Sequence, residues 1–188
     1  SGSGCLRLAV KQGRTAMPYI LPPDLAERPG ATELAQVATP DGKRTLDTAL
    51  MDATLRGTDR SSWAPADQAV ADEALARILN AVTEADAMVD GFLAKRGYAL
   101  PLNPVPTLVT GWSRAIARYL LHKSRLSMES TDPIVRDYRD AQKLLQLTAD
   151  GKFSLGADDT VATGGSSTDV RFAGDAPVFG RRQLGAFR

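Results

Sequence analysis

Residues 90–106 read DGFLAKRGYALPLNPVP, and this stretch decides the fold because it ends one helix, crosses a proline-rich link and begins another. Lys95 and Arg96 followed by Gly97 are typical of a helix C-terminus, where cations meet the last carbonyls and glycine accepts a positive φ. Each of the three prolines that follow fixes its own φ and disfavours the α conformation in the residue before it. The pattern therefore predicts an extended link between two helices.

Apolar spacing predicts helices on both sides of this link. The longest is predicted from Pro65 to about Arg96, with one buried row: Val70, Ala74, Ile78, Val82, Ala85, Val89 and Phe92. The next is predicted from about Thr107 to Arg125, with these buried residues: Leu108, Trp112, Ile116, Tyr119 and Leu120. Another is predicted from Pro133 to about Asp150, with this apolar row: Ile134, Tyr138, Ala141, Leu144 and Leu145.

Shorter helical pieces are predicted over residues 22–28, 32–38 and 45–55, each ended by a turn-forming sequence. The predicted fold class is therefore all-α, a bundle of about five helices, one of them long, with an extended C-terminal arm. With 188 residues, 43% of them hydrophobic, the chain is long enough for one core and short of two domains.

The chain divides into three parts by composition. Residues 1–16 are interpreted as a linker left by cloning or an upstream extension, expected to be disordered unless docked, and residues 17–155 as the helical domain. Residues 156–168 are rich in Gly, Ser, Thr and Asp, so 156–188 is predicted to be a flexible linker and docking arm. We expect the arm to bind a partner by adding a β-strand to an exposed sheet edge, through Phe172, Val178, Phe179, Arg181, Arg182, Leu184 and Phe187.

Composition excludes several functional classes. Three of the 23 basic residues lie in the first sixteen positions, which leaves 20 basic against 22 acidic residues and no overall reason to expect a nucleic-acid binder. Cys5 is the single cysteine and cannot form an intramolecular disulfide, which favours a reducing compartment. No apolar run approaches the roughly 20 residues of a membrane helix, so we expect no membrane association.

The motifs of common catalytic and metal sites are missing from the sequence. One histidine and one cysteine cannot form a zinc site, and neither Gly-Lys sequence has the spacing of a phosphate loop. We therefore expect no enzyme activity, metal or cofactor. His122 is interpreted as a helix-surface or interface residue, and the paired acids Asp72-Glu73 and Glu84-Asp86 as a solvated helix face.

Four basic residues in and after the Thr107 helix form the one candidate site within the helical domain: Arg114, Arg118, Lys123 and Arg125. Salt bridges to acidic faces of neighbouring helices or subunits are the favoured interpretation, because acids are plentiful and no aromatic platform is interleaved. The alternative is a phosphate-facing patch that contacts DNA in a channel.

The sequence resembles the Mu-like phage family of small helical head-to-tail joining proteins. The resemblance runs from about Met17 to Leu155, and the final stretch from Val178 to Phe187 also looks like the family's ending. Two features depart from the family: residues 57–64 look like an insertion, and the linker 156–168 is long. It is carried by the link YALPL at 98–102, by RAIARYLL at 114–121, by Tyr138 with Leu144 and Leu145, and by GKFSLG at 151–156.

This resemblance implies a structural virion protein that is not an enzyme. It implies a homo-oligomeric ring of about twelve copies beneath the portal protein, joined on its other side to a tail terminator or neck protein. The implied location is the neck of the virion, assembled in the host cytoplasm, with non-specific contact to packaged DNA as a further option. The alternative function is a helical nucleic-acid-associated module that uses the basic helix face; an enzyme subunit is a weaker third.

Overall fold

The computed structural model describes residues 17–123 and 132–156, and the regular secondary structure within them is all helical. The prediction of an all-α fold is confirmed for these residues; the predicted strand of the arm lies outside them. The helices are α1 (Pro22–Leu25), α2 (Ala31–Ala38), α3 (Thr48–Arg56), α4 (Pro65–Arg96), α5 (Thr107–His122) and α6 (Pro133–Ala149). Between α1 and α2 the chain turns over Ala26–Gly30, where Arg28 is extended (φ −146°, ψ 116°).

Helix α4 is the centre of the bundle. Its 32 residues span roughly 48 Å, and α2, α3, α5 and α6 all contact it. The buried positions of α4 are Ala71, Ala74, Ile78, Ala81, Val82, Ala85, Val89 and Leu93. Alanine at four of these positions lets neighbouring helices approach closely. The predicted row is largely confirmed, except that Val70 and Phe92 are only partly buried.

The sequence signals for helix ends operate as predicted. Gly97 ends α4 in the left-handed conformation (φ 95°), and its N–H donates to the carbonyls of Leu93 and Ala94. The side chain of Asp132 caps α6 by accepting from the N–H of Ile134 at 2.8 Å. Asp47 caps α3 in the same way, so that helix begins at Thr48 rather than at the predicted Thr45.

The link between α4 and α5 differs from the extended conformation that was predicted. It bends at Leu100–Pro101 and again at Asn103–Pro104, and both peptide bonds are cis. The sequence does not fix this choice, because the trans form of an X–Pro bond is favoured by only about 0.5–1 kcal/mol. Tyr98 is buried, and Leu100 and Leu102 pack against the core.

The buried face of α5 is rotated relative to the prediction. Leu108 is 38% exposed, whereas Val109 and Ser113 are fully buried beside Trp112 and Ile116. Tyr119 is half-buried because its ring stacks on Tyr138 of α6, with centroids 3.9 Å apart. The prediction that Leu108 is buried is therefore wrong. Because Ser113 and Ala117 are small, the face of α5 that carries them can pack closely in the core, and this orientation leaves Leu108 exposed.

The ends of α4 and α6 meet at a tight glycine. Gly151 has φ +75°, and a Cβ atom added there would lie 2.9 Å from Nη1 of Arg96. Beside it, Lys95 Nζ lies 3.2 Å from Oδ1 of Asp150. Glycine therefore suits position 151, because the backbone has a positive φ and the Arg96 side chain occupies the space next to it.

Replacing Gly151 should destabilise the bundle. For Gly151→Ala we expect the free energy of unfolding to fall by about 1–2 kcal/mol, because an L-residue is strained at positive φ and its Cβ crowds Arg96. Urea denaturation measures the change.

The matched control is Gly91→Ala, at an exposed site within α4 where a Cβ would meet nothing within 4 Å. That change should stabilise the protein by about 0.5–1 kcal/mol through helix propensity. Equal effects of the two substitutions would contradict this account of Gly151.

Candidate functional site

Arg118, one of the predicted basic residues, is paired within the chain. Its guanidinium donates to both carboxylate oxygens of Glu33 in α2, from Nε at 2.6 Å and from Nη2 at 2.7 Å. His122 Nε2 lies 2.8 Å from Oε1 of the same carboxylate, and since an ionised carboxylate only accepts, this nitrogen carries the proton. One acid near the start of α2 therefore holds two residues in the second half of α5.

The pairing changes the pKa of each main partner. Burial raises the pKa of the Glu33 carboxyl, but the hydrogen bonds from Arg118 and His122 outweigh it and leave the pKa below its usual value. The hydrogen bond to Glu33 raises the pKa of Arg118, although burial opposes it. Both groups are thus held in their charged forms at neutral pH, and they tie α2 to α5.

Arg114 lies one turn before Arg118 and is not paired in this way. Its side chain is half-buried, and its Nε atom is buried without a hydrogen-bond partner in the described part of the chain. Arg114 and Arg118 line a recess of about 340 Å³ together with Arg28, Pro29, Gly111, Ala115 and Asp137. We call this space the arginine recess.

The three described members of the predicted basic set, Arg114, Arg118 and Lys123, are not gathered into one patch. Lys123 is exposed and borders a different recess of about 360 Å³, between α2, α4 and the end of α5. Arg125 lies outside the described residues, as do all seven predicted anchors of the arm: Phe172, Val178, Phe179, Arg181, Arg182, Leu184 and Phe187. Their roles in binding a partner, a neighbouring subunit or DNA remain predictions.

A second polar cluster, which the sequence interpretation missed, attaches the N-terminal segment to α4. The Tyr19 N–H donates to Oδ2 of Asp86 at 3.0 Å, and the Tyr19 hydroxyl donates to Asp90. Ser113 of α5 donates to the other oxygen of Asp86 at 2.5 Å. Burial raises the pKa of Asp86, and burial with the hydrogen bond to Asp90 raises that of Tyr19.

The reading of Asp86 as part of a solvated face is therefore wrong. Asp86 and Asp90 are four residues apart, and each follows a buried apolar residue, Ala85 and Val89. That spacing puts both carboxylates at the edge of the buried stripe, where they can meet other segments. This is the signal from which the cluster could have been found.

Two further properties of the described residues bear on function. In residues 17–123 and 132–156, no group of three or more His, Cys, Asp or Glu side chains is arranged to hold a metal ion. None of the helices described has the length and apolarity required to cross a membrane.

Comparison with known proteins identifies the family. The family model described as Bacteriophage Mu, Gp36 matches residues 19–173. The chain belongs to this family. The Mu-like prophage FluMu protein gp36 of Haemophilus influenzae is 33% identical over 134 residues, which cover 71% of this chain and 89% of that protein. The resemblance to Mu-like phage proteins is thereby confirmed.

The Gp36 match defines which parts of the chain share the family pattern. It begins at Tyr19, which anchors the N-terminal segment on α4, and it continues past Gly156 to residue 173. The family pattern therefore includes the helical body and also the beginning of the segment predicted to be a docking arm.

The Glu33–Arg118 pair should contribute measurably to stability. A double-mutant cycle of Glu33→Ala and Arg118→Ala should give a coupling energy of about 1–2 kcal/mol, because the two charge-assisted hydrogen bonds are partly shielded from water. Urea denaturation of the four proteins measures it. Arg139→Ala, at an exposed position, is the control and should change stability by less than about 0.5 kcal/mol. A coupling energy near zero would show that the Glu33–Arg118 pair does not stabilise the fold.

The same pair should make the free energy of unfolding depend on pH. Since the pKa of Glu33 is lowered in the folded state, its contribution is present above the unfolded-state pKa and is lost as pH falls through the folded-state value. The stability difference between the wild type and Glu33→Gln should therefore shrink as pH falls from about 6 to about 3. A difference that stays constant over this range would show that the charge of Glu33 is not what matters.

Proposed function

We propose that this protein is a structural component of a Mu-like phage particle that joins the DNA-filled head to the tail. Membership of the Gp36 family carries the proposal, since the match includes both the helical body and the start of the arm. About twelve copies would form a ring beneath the portal protein, with a tail terminator or neck protein on its other side. The protein would be assembled in the host cytoplasm and reside in the virion neck.

The construction of the helical body supports this role. Polar contacts between distant parts of the chain, such as Glu33 with Arg118 and Tyr19 with Asp86, fix the short N-terminal helices on the long ones. A body held in this way can transmit force between two large assemblies without rearranging. The proposal requires no catalytic group, and we propose no enzyme activity.

The arm would supply a second type of contact. A flexible tether of about thirteen residues, as the composition predicts, would have a root-mean-square reach of roughly 20 Å. That reach would let the apolar end contact a neighbouring subunit or ring. Repetition around a ring would let a weak contact of one arm act many times over.

The nucleic-acid alternative receives less support. The charge of Arg118 is engaged by Glu33, and Asp137 lines the same recess as Arg114. A duplex needs a continuous row of available cations to neutralise successive phosphates. The described cations of α5 do not form such a row.

Loss of the protein should separate heads from tails. Electron microscopy of lysates from a phage or prophage that lacks this gene should show DNA-packaged or leaking heads alongside free tails, because the junction is missing. Supplying the gene from a plasmid should restore joined particles. Normal tailed particles without the protein would refute the proposal.

Truncation should separate folding from assembly. A chain ending after Gly156 should keep the helical content and the melting temperature of the body, yet fail to restore joined particles in the complementation assay, since the arm is gone. Circular dichroism and particle counts measure the two properties. A variant lacking residues 1–16, which precede the family match, is the matched control and should complement. Joined particles formed by the truncated chain would show that the arm is dispensable.

A further inference from the structure

The arginine recess has the geometry of a receptor for a single anionic group. Gly111, Arg114, Ala115 and Arg118 lie on one face of α5, at the i, i+3, i+4 and i+7 spacing of a helix. The turn at Arg28 and Pro29 forms a second wall, and Asp137 of α6 a third. A Cβ atom built on Gly111 would meet nothing within 4 Å, so this part of the recess is open.

The charges around the recess do not balance. Three arginines and one acid line it: Arg118 is paired with Glu33, and Asp137 lies 3.6 Å from Arg136 of its own helix. Arg28 and Arg114 have no ion-pair partner among the described residues. Of these two, Arg114 is the half-buried one, and its Nε has no acceptor among the described residues. A buried donor that is charged and unpaired is costly unless an acceptor arrives from outside.

We propose that this recess receives one carboxylate side chain from a second copy of this protein. One carboxylate would pair with Arg114, because a guanidinium offers the paired donors that a carboxylate accepts. This inference rests on the proposed ring, and it names a contact between subunits of that ring.

A protein carboxylate fits the recess better than a DNA backbone. The recess is a local pocket with acidic Asp137 in its wall, and the exposed Asp140 lies one turn further along α6. A phosphodiester chain passing over this surface would meet those acids, whereas one side chain entering the recess would meet mainly arginine. The observations therefore favour a protein carboxylate over a DNA phosphate as the group that enters the recess.

The first half of α4 presents carboxylates that suit the recess. Asp67 and Glu73 are exposed and have no ion-pair partner among the described residues. They cannot reach the recess of their own copy. The recess lies beside Asp86, because Ser113, next to Arg114, donates a hydrogen bond to that residue. Asp67 and Glu73 are roughly 20–30 Å from Asp86 along the axis of α4. Donor and receptor are therefore different surfaces of one molecule.

Contacts between two different surfaces have a defined consequence for assembly. Each copy would offer its α4 acids to one neighbour and its arginine recess to the other. Such head-to-tail contacts produce a closed ring when the rotation between copies closes. The recess thus provides a contact of the type that a ring requires.

The test is the self-association of the purified full chain, followed by sedimentation velocity. Arg114→Ala should raise the apparent dissociation constant for self-association about tenfold or more. The melting temperature should change little, because the Nε of Arg114 has no hydrogen-bond partner among the described residues. Gly111→Leu should weaken association similarly by filling the recess while every arginine is kept. Arg139→Ala, outside the recess, should associate like the wild type.

Charge exchange identifies the donor. Arg114→Glu alone should abolish association, and adding Asp67→Arg with Glu73→Arg should restore it. A wild-type chain that stays monomeric, unchanged association of Arg114→Ala, or failure of the charge exchange to restore association would overturn the proposal. So would micromolar binding of a 20-base-pair DNA duplex that Arg114→Ala abolishes, because the recess would then serve a phosphate.

The outcomes separate this inference from the proposed function. If particles lacking the protein fail to join heads to tails but Arg114→Ala associates normally, the joining role stands and the ring contact lies elsewhere. If particles are normal without the protein while Arg114→Ala loses association, the recess is an interface in an assembly of another kind.

Discussion

The structure depends on the buried face of α4. Eight positions from Ala71 to Leu93 are removed from water, and four of them are alanine, so the neighbouring helices can approach closely along roughly six turns. Since α2, α3, α5 and α6 all pack on this one helix, its buried stripe fixes where these four helices lie. The polar contacts act on an arrangement that this burial has already defined.

Two acidic contacts then determine how the shorter segments sit on the long helices. Asp86 and Asp90 hold Tyr19, and with it the chain that leads into α1, while Glu33 holds Arg118 and His122 of α5. Both contacts join residues more than 60 positions apart. Neither contact involves the half-buried Arg114, whose Nε, like that of Arg96, has no acceptor in the described part of the chain. Because Arg118 is paired with Glu33 and Arg114 is not, Arg114 is the residue that we propose to bind a carboxylate from another copy.

Local signals predicted most of the fold and little of the site. The ends of α4 and α6 followed from Gly97 and from Asp132 with Pro133, and the row from Ala74 to Val89 followed from its spacing. The rotation of α5 and the course of the proline link depend on tertiary packing, such as that of Leu100 and Leu102 against the core, which local spacing does not reveal. The spacing of Asp86 and Asp90 places both acids at the edge of the buried stripe, but it does not say which residues they meet. The partners of Arg118 and Asp86 are 85 and 67 residues away along the chain.

The central claim is that this Gp36-family chain occupies the junction between head and tail. An electron cryomicroscopy reconstruction of the neck of purified particles tests it most directly. Our account predicts a ring between the portal and the tail whose subunits fit the helices of residues 17–123 and 132–156, with the long α4 as the clearest feature. A neck fully accounted for by other proteins would contradict it.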